Sequence, residues 1–101
     1  MMELTRIFKA LSDETRLRIL NLLTVRDCCV CEVMQAMDIS QTRASRNLQI
    51  LFEAGLLRRW KEGLWSHYGL DHETVPASYR QLVETVRQEL KTDRELSLIH
   101  I

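Results

Sequence analysis

Three cysteines stand within four residues, at Cys28, Cys29 and Cys31, and the chain has no others. So dense a group of thiols is hard to explain by packing alone. Thiolates prefer soft, thiophilic ions, so the group indicates a binding site for such an ion. The helices and strands around these thiols must hold them in place and must change when an ion binds to them.

Composition favours a single helical domain in a reducing compartment. The chain has 101 residues, of which 46% are hydrophobic and 28% charged, with three Gly and one Pro. The amino terminus lacks the apolar segment of a signal peptide, and no stretch approaches membrane-spanning length, so we expect a cytoplasmic protein without a membrane partner. Thiols stay reduced there, and clustered cysteines more often bind metal or do redox chemistry than form disulfides.

Charge is distributed unevenly although the net charge is zero. Residues 1–39 carry five Lys/Arg and six Asp/Glu, residues 40–70 carry five and two, and residues 71–101 carry four and six. A basic middle between acidic ends predicts a local phosphate-binding surface.

Apolar periodicity predicts four helices before position 56. Their apolar positions are, in chain order, Leu4, Ile7, Phe8 and Leu11; Leu17, Ile19, Leu20, Leu22 and Leu23; Val30, Val33, Met34 and Met37; and Ala44, Leu48, Leu51 and Phe52. Asp27 is expected to begin and cap the third helix, and Ser40 to cap the fourth. Residues 38–40 then form a three-residue turn between them, as in a helix-turn-helix.

A β-hairpin and a long last helix complete the prediction. Residues 57–60 and 65–70 are rich in β-favouring residues and flank a turn at residues 61–63. In the last helix, apolar residues from Val75 to Leu90 alternate spacings of three and four, which is typical of a helix–helix seam. The predicted fold is therefore mainly α with a small β-hairpin, a dimeric winged helix-turn-helix, with one domain over residues 1–96 and a tail over residues 97–101.

The fourth helix and the hairpin offer side chains suited to double-stranded DNA. Early residues of the second helix in a helix-turn-helix contact base edges, so Gln41, Thr42 and Arg43 are expected to read bases, while the hairpin holds phosphates. A homodimer formed through the first and last helices would bind an inverted-repeat operator. The predicted DNA-binding residues are Ser40, Gln41, Thr42, Arg43, Ser45, Arg46, Asn47, Gln49, Arg58, Arg59 and Lys61.

A helical wheel separates the three cysteines. Each residue advances about 100°, so with Val30 and Val33 facing the core, Cys29 and Cys31 lie on opposite flanks and Cys28 lies almost opposite the core. Cys29 and Cys31 then point about 200° apart, and gripping one ion distorts the first turn of the helix. The helix dipole at this end also favours thiolate. We therefore predict all three cysteines as ligands whose occupation shifts the neighbouring DNA-recognition helix.

Several segments form a pattern that is specific when taken together. They are residues 8–20, Cys29-Val30-Cys31-Glu32-Val33, residues 39–48, residues 54–57 and residues 62–65. With these segments the chain resembles the ArsR-type metalloregulatory repressors, the arsenic-responsive branch of the ArsR/SmtB family. The resemblance implies a dimeric repressor that leaves its operator when As(III) or Sb(III), acting as inducer, binds the thiols and so releases resistance genes. No obligatory cofactor is implied.

Two positions depart from the pattern of that family. Its best-known arsenic sensors have a third cysteine three residues after the Cys-x-Cys pair, where this chain has Met34, while Cys28 precedes the pair. Either Cys28 is the third ligand or an outside thiol completes a two-cysteine site. Asn47 replaces a histidine common in the family's recognition helix, which leaves the base preference open.

Other classes of protein would use these residues differently. A thiol redox switch would join Cys29 to Cys31 or form an intermolecular bridge, and it would respond to oxidants rather than to arsenite under reducing conditions. A sensor of another soft ion would use the same thiols, and a metal-delivery protein would bind no duplex DNA. An enzyme is not expected, because the chain has no paired carboxylates, no Ser/His/Asp set and no phosphate loop.

Overall fold

The computed structural model describes the backbone of residues 2–71 and 77–99, and the side chains of residues 3–71 and 79–91. The helices are α1 (Met2–Leu11), α2 (Glu14–Val25), α3 (Val30–Met37), α4 (Gln41–Glu53) and α5 (Ala77–Ile99), and the strands are β1 (Cys28–Cys29), β2 (Leu57–Glu62) and β3 (Trp65–Leu70). The strands form one antiparallel sheet in the order β1-β3-β2. The mainly helical fold with a β-hairpin is confirmed, and β1 is a strand that was not expected from the sequence.

The core gathers apolar side chains from the first four helices and from the sheet. It is closed by α5, whose Tyr79, Leu82, Val83 and Val86 pack against it while partly buried. Phe8 was expected on the buried stripe of α1, but it is 52% exposed because α1 packs on α2 and α4 through Ile7 and Ala10. Within residues 3–71 and 79–91, the buried apolar residues are Ile7, Ala10, Ile19, Leu20, Leu23, Cys28, Val33, Ala44, Leu48, Leu51, Ala54, Leu56, Leu57, Tyr68 and Leu70.

The third helix begins three residues later than expected. Asp27 does not cap it; Cys29 is the N-cap residue, and Val30 is the first helical residue. Cys28 and Cys29 instead pair with Tyr68 and His67 of β3. The strand supplies hydrogen-bond partners for backbone groups that the first turn of a longer helix would leave unpaired.

The hairpin and the last helix follow the predicted order. Gly55 lies between α4 and β2 with φ of 85°, and Gly63 lies in the hairpin turn with φ of 62°. Glycine adopts such positive φ values without strain. The helix α5 runs to Ile99, so positions 97–99 of the expected tail are helical. Val75 lies outside the described residues. Among the helices described, none combines the length and the apolar character needed to cross a bilayer.

Candidate functional site

The turn between α3 and α4 is built by local backbone chemistry. Asp38 adopts the left-handed conformation, with φ of 54°, and its N–H and that of Ile39 both donate to the Met34 carbonyl. Ser40 Oγ then accepts a hydrogen bond of 3.2 Å from the Arg43 N–H. The predicted cap at Ser40 and the three-residue turn are confirmed, and they set the angle at which α4 leaves α3.

One side of α4 is polar and open to solvent. Gln41, Thr42, Arg43 and Arg46 are exposed, and Ser45 is half-buried. In the part of the chain that the structure describes, the side chains of Arg43 and Arg46 have no ion pair. Two cationic groups without partners on one helix face are suited to phosphate or base contacts.

Asn47 was predicted as a DNA-binding residue of α4, but the structure buries its side chain. The residue is 9% exposed; its amide group donates to the Arg43 carbonyl at 3.0 Å, and its Oδ1 accepts from Arg16 Nη1 at 3.1 Å. Ala44, Asn47, Leu48 and Leu51 follow the spacing of a buried helical stripe, so the pattern that reveals this burial was present in the sequence. The side chain of Asn47 therefore joins α4 to α2.

Two cationic side chains of the hairpin, Arg59 and Lys61, differ in their contacts. Arg59 Nη1 donates to Gln49 Oε1 at 2.7 Å, and its guanidinium lies 4.1 Å from the centre of the Phe52 ring. Both contacts join β2 to α4. Lys61 is exposed.

Arg58 is engaged with the segment that carries the thiols. Its Nη2 lies 2.9 Å from Asp27 Oδ2, and its guanidinium lies 4.2 Å from the centre of the Trp60 ring. Arg58 was predicted to contact phosphate, and its ion pair with Asp27 was not expected from the sequence. The 31 residues that separate the two partners explain why no local pattern indicated it.

Cys28 lies in the core, which contradicts its predicted place opposite the core. Its side chain is fully buried beside its strand partner Tyr68, and its Sγ donates to the Arg26 carbonyl at 3.7 Å. Burial raises the pKa of the Cys28 thiol above its ordinary value. The thiol is therefore neutral at physiological pH and shielded from solvent.

Cys29 occupies the N-cap of α3 and is half-buried. Its N–H donates to Glu32 Oε1 at 3.0 Å, and Arg26 Nη1 lies 3.0 Å from Glu32 Oε2. The hydrogen bonds from the backbone and side chain of Cys29, and then the charge of Arg26, lower the pKa of Glu32. The carboxylate of Glu32 thus fixes the backbone at Cys29.

Cys31 is also half-buried and lies in the first turn of α3. Because Cys29 has an extended backbone, the angle of about 200° that an ideal helix imposes on the Cys29 and Cys31 side chains does not apply. In a strand, consecutive side chains point to opposite faces, so Cys28 and Cys29 diverge. Across residues 3–71 and 79–91, no group of three or more His, Cys, Asp and Glu side chains could hold a metal ion. The arrangement offers two accessible thiols rather than three.

Two helices joined by a short turn, followed by an antiparallel hairpin, define a winged helix-turn-helix. The family described as "Bacterial regulatory protein, arsR family" matches residues 13–59. The chain belongs to this family, and it is a DNA-binding transcriptional regulator rather than an enzyme.

Similar proteins agree with this assignment. The "Arsenical resistance operon repressor" of Escherichia coli is 42% identical over 78% of this chain and 68% of its own length. A "Cadmium resistance transcriptional regulatory protein CadC homolog" of Staphylococcus aureus is 39% identical over 82% of this chain and 66% of its own length. The chain thus spans about two thirds of these relatives.

A solved structure shares the fold. The homodimeric winged helix-turn-helix DNA-binding domain Mb0332 of Mycobacterium bovis, a possible ArsR-family transcriptional regulator, is 36% identical. It aligns with a TM-score of 0.72 over 86% of this chain and 80% of its own. The predicted winged helix-turn-helix fold is confirmed.

Proposed function

We propose that this protein is a homodimeric repressor that binds an inverted-repeat operator and leaves it when As(III) or Sb(III) binds Cys29 and Cys31. The observation that carries the proposal is the place of the two half-buried thiols, at the start of the helix that packs on α4 and leads into it through the turn. A change at these thiols therefore acts on the helix that reads DNA. The names of the relatives in Escherichia coli and Staphylococcus aureus support a role in resistance to thiophilic ions.

The DNA contacts are assigned to the exposed part of α4 and to the hairpin. Gln41, Thr42 and Arg43 lie in the first turn of α4, where a helix in the major groove reaches base edges. Ser40, Ser45 and Arg46 flank them. Arg59 and Lys61 on β2 supply positive charge for phosphates, and Gln49 orients Arg59 through their hydrogen bond.

The inducer chemistry needs only thiols and a trivalent metalloid hydroxide. Two As–S bonds form while two As–OH bonds break, and each thiol proton leaves with a hydroxide as water, so no oxidant or reductant is consumed. Cys29 and Cys31 are the reacting pair. A third position on arsenic is left for hydroxide or for a thiol from solution.

We assign Cys28 to the core rather than to the metalloid. Its side chain is buried with Tyr68, and its thiol is held in the neutral form by burial. Using it as a ligand would require β1 to leave the sheet and would open the core. The proposed site therefore has two protein sulfurs.

The homodimer is assigned to α1 and α5. Phe8 on α1 leaves about half of its large apolar side chain exposed, and α5 places a stripe of apolar residues only partly against the core. The Mycobacterium bovis relative is described as homodimeric. Sedimentation at micromolar concentration should give a dimer; a monomer that also fails to pair on DNA contradicts this assignment.

The experiment is a titration of operator DNA under anaerobic conditions with a phosphine reductant, since added thiols would compete for arsenic. The duplex is one selected in vitro for binding, and release is followed by fluorescence anisotropy with arsenite, cadmium or zinc. Release by arsenite supports the proposal. Release by cadmium alone indicates a sensor of another soft ion, and release by peroxide alone indicates a redox switch. Failure to bind any duplex at low salt would contradict the DNA-binding role.

A further inference from the structure

The outward face of the sheet joins the thiol segment to the hairpin. Cys29 pairs with His67 across β1 and β3, and Trp60 pairs with the same His67 across β2 and β3. Directly paired residues place their side chains on one face of a sheet, so Cys29, His67 and Trp60 form a row across all three strands. The rings of His67 and Trp60 stack with 5.8 Å between their centroids. The adjacent pair, Cys28 and Tyr68, is buried, so this row faces outward.

An ion pair crosses the same face beside that row. Arg58 of β2 pairs with Gly69 of β3, and the Arg58 guanidinium extends over Gly69 to Asp27, the residue before β1. A Cβ at position 69 would overlap the Asp27 carboxylate and lie 3.3 Å from Arg58 Nη2. Gly69 therefore leaves the space in which Asp27 and Arg58 meet.

These two connections converge on β2. Arg58 lies over Trp60 at 4.2 Å from the ring centre, and Trp60 stacks on His67, the partner of Cys29. The strand β1 has only two residues, so few backbone hydrogen bonds resist a change at Cys29. The thiol segment is thus joined to the hairpin both by the strand pairing and by the ion pair of Asp27 with Arg58.

We propose that Asp27 is a positioning residue that links the thiol segment to the hairpin, so that arsenic binding at Cys29 and Cys31 displaces Arg58 and weakens DNA binding through the hairpin as well as through α4. This inference rests on the proposed function. The coupling requires that the binding of one ion by the sulfurs of Cys29 and Cys31 change the backbone at Cys29, and Asp27 stands two residues away. The hairpin then moves relative to α4, and the two DNA-contacting elements no longer match one operator.

The Asp27→Asn variant tests the contribution of the Asp27–Arg58 ion pair separately from the other contacts of the protein. It removes the charge that holds Arg58 but keeps a side chain of the same shape. The ion pair is half-exposed on both sides, and pairs of this kind add little to stability, so the variant is expected to fold. Asp38→Asn is the matched control, because it removes the same charge from an exposed residue in a left-handed conformation that Asn also adopts, away from the sheet.

The experiment uses the full chain in a Trp65→Phe background, which leaves Trp60 as the only tryptophan. Arsenite is titrated without DNA, and As–S absorption in the ultraviolet reports binding while Trp60 emission reports the hairpin. In the parent, we expect Trp60 emission to change and to saturate together with the absorption. In Asp27→Asn, the absorption should be retained and the emission change should fall to less than half. Asp38→Asn should behave as the parent.

The same proteins are then bound to the operator duplex with and without arsenite. We expect Asp27→Asn to reduce the ratio of the two operator affinities by about fivefold or more, within the range of ordinary allosteric couplings. Two results would overturn the inference while leaving the proposed function intact: a silent Trp60 at full As–S absorption in the parent, or an undiminished affinity ratio in Asp27→Asn. Absence of any As–S absorption in the parent would overturn the proposed function, and this coupling with it.

Discussion

Arg16 donates from Nη1 to the side-chain oxygen of Asn47 over 3.1 Å, which joins α2 to the middle of α4. The same guanidinium donates from Nε to the Ala10 carbonyl at 2.6 Å and from Nη2 to the Lys9 carbonyl at 3.3 Å. Those carbonyls stand at the end of α1, where a helix leaves carbonyls without helical partners, and the Lys9 carbonyl also accepts from Ser12. One arginine therefore ties the recognition helix α4 to α1, the helix assigned to the dimer.

Replacing Asn47 with alanine should destabilise the protein rather than remove a base contact. The change deletes the bonds to Arg16 and to the Arg43 carbonyl, and it leaves Arg16 without one of its acceptors. We expect a loss of about 1–3 kcal/mol in the free energy of unfolding. Urea unfolding followed by circular dichroism measures it. A stability equal to that of the parent, with altered base preference, would show that Asn47 reads DNA after all.

Replacing Arg46 with alanine should weaken DNA binding and leave the stability of the protein nearly unchanged. Arg46 is exposed on α4, so the unfolding free energy should stay within about 0.5 kcal/mol of the parent. Operator affinity should fall, and the slope of log affinity against log salt should decrease by about 0.9 for each phosphate that the protein no longer neutralises. Anisotropy titrations at several salt concentrations test this. An unchanged slope would argue that Arg46 does not bind phosphate.

Local sequence patterns predicted the helices and the hairpin. The features that these patterns missed depend on pairing between residues far apart in the chain. The Ser40 cap, the turn at residues 38–40 and the hairpin depend on neighbours within a few residues, so they could be inferred directly. The strand β1 could not, because Cys28 and Cys29 become a strand only by pairing with residues about forty positions later, at Tyr68 and His67.

The predictions for the candidate site missed the same kind of long-range contact. Cys28 was placed opposite the core because a helix was assumed through it, and the strand reverses that placement. The ion pair of Asp27 with Arg58 spans 31 residues, and so does the bond of Arg16 to Asn47. The burial of Asn47 was readable from its spacing with Ala44, Leu48 and Leu51, but its partner was not.

Replacing Cys28 with alanine should cost stability but preserve the response to arsenite. The fully buried thiol fills space beside Tyr68, so its removal should lower the unfolding free energy by about 1–2 kcal/mol. The matched change is Cys31→Ala, where the side chain is half-buried: stability should change less, and release of operator DNA by arsenite should be abolished. A Cys28→Ala protein that folds but ignores arsenite would make Cys28 the third ligand.

Acid should weaken the start of α3 through Glu32. Its pKa is lowered in the folded state by hydrogen bonds from Cys29 and by Arg26, so the native state binds a proton less readily than the unfolded chain. The stabilisation is therefore present above the unfolded carboxyl pKa of about 4.3 and is lost as pH falls through the lower folded value.

The Glu32→Gln variant tests this dependence. It should be less stable than the parent at pH 7, and the difference should shrink as unfolding is measured at successively lower pH. Glu14→Gln, which alters an exposed pair with Arg18, is the control and should stay within about 0.5 kcal/mol of the parent. A difference between Glu32→Gln and the parent that does not vary with pH would contradict the role given to this carboxylate.

In the proposed mechanism, arsenite releases DNA through Cys29 and Cys31 and without Cys28. The most direct measurement is operator affinity with and without arsenite, under a phosphine reductant, for Cys28→Ala, Cys29→Ser, Cys31→Ser and the double variant of Cys29 and Cys31. We predict that all four bind DNA, that Cys28→Ala is released by arsenite, and that the other three are not. Full release of the double variant by arsenite would contradict this mechanism.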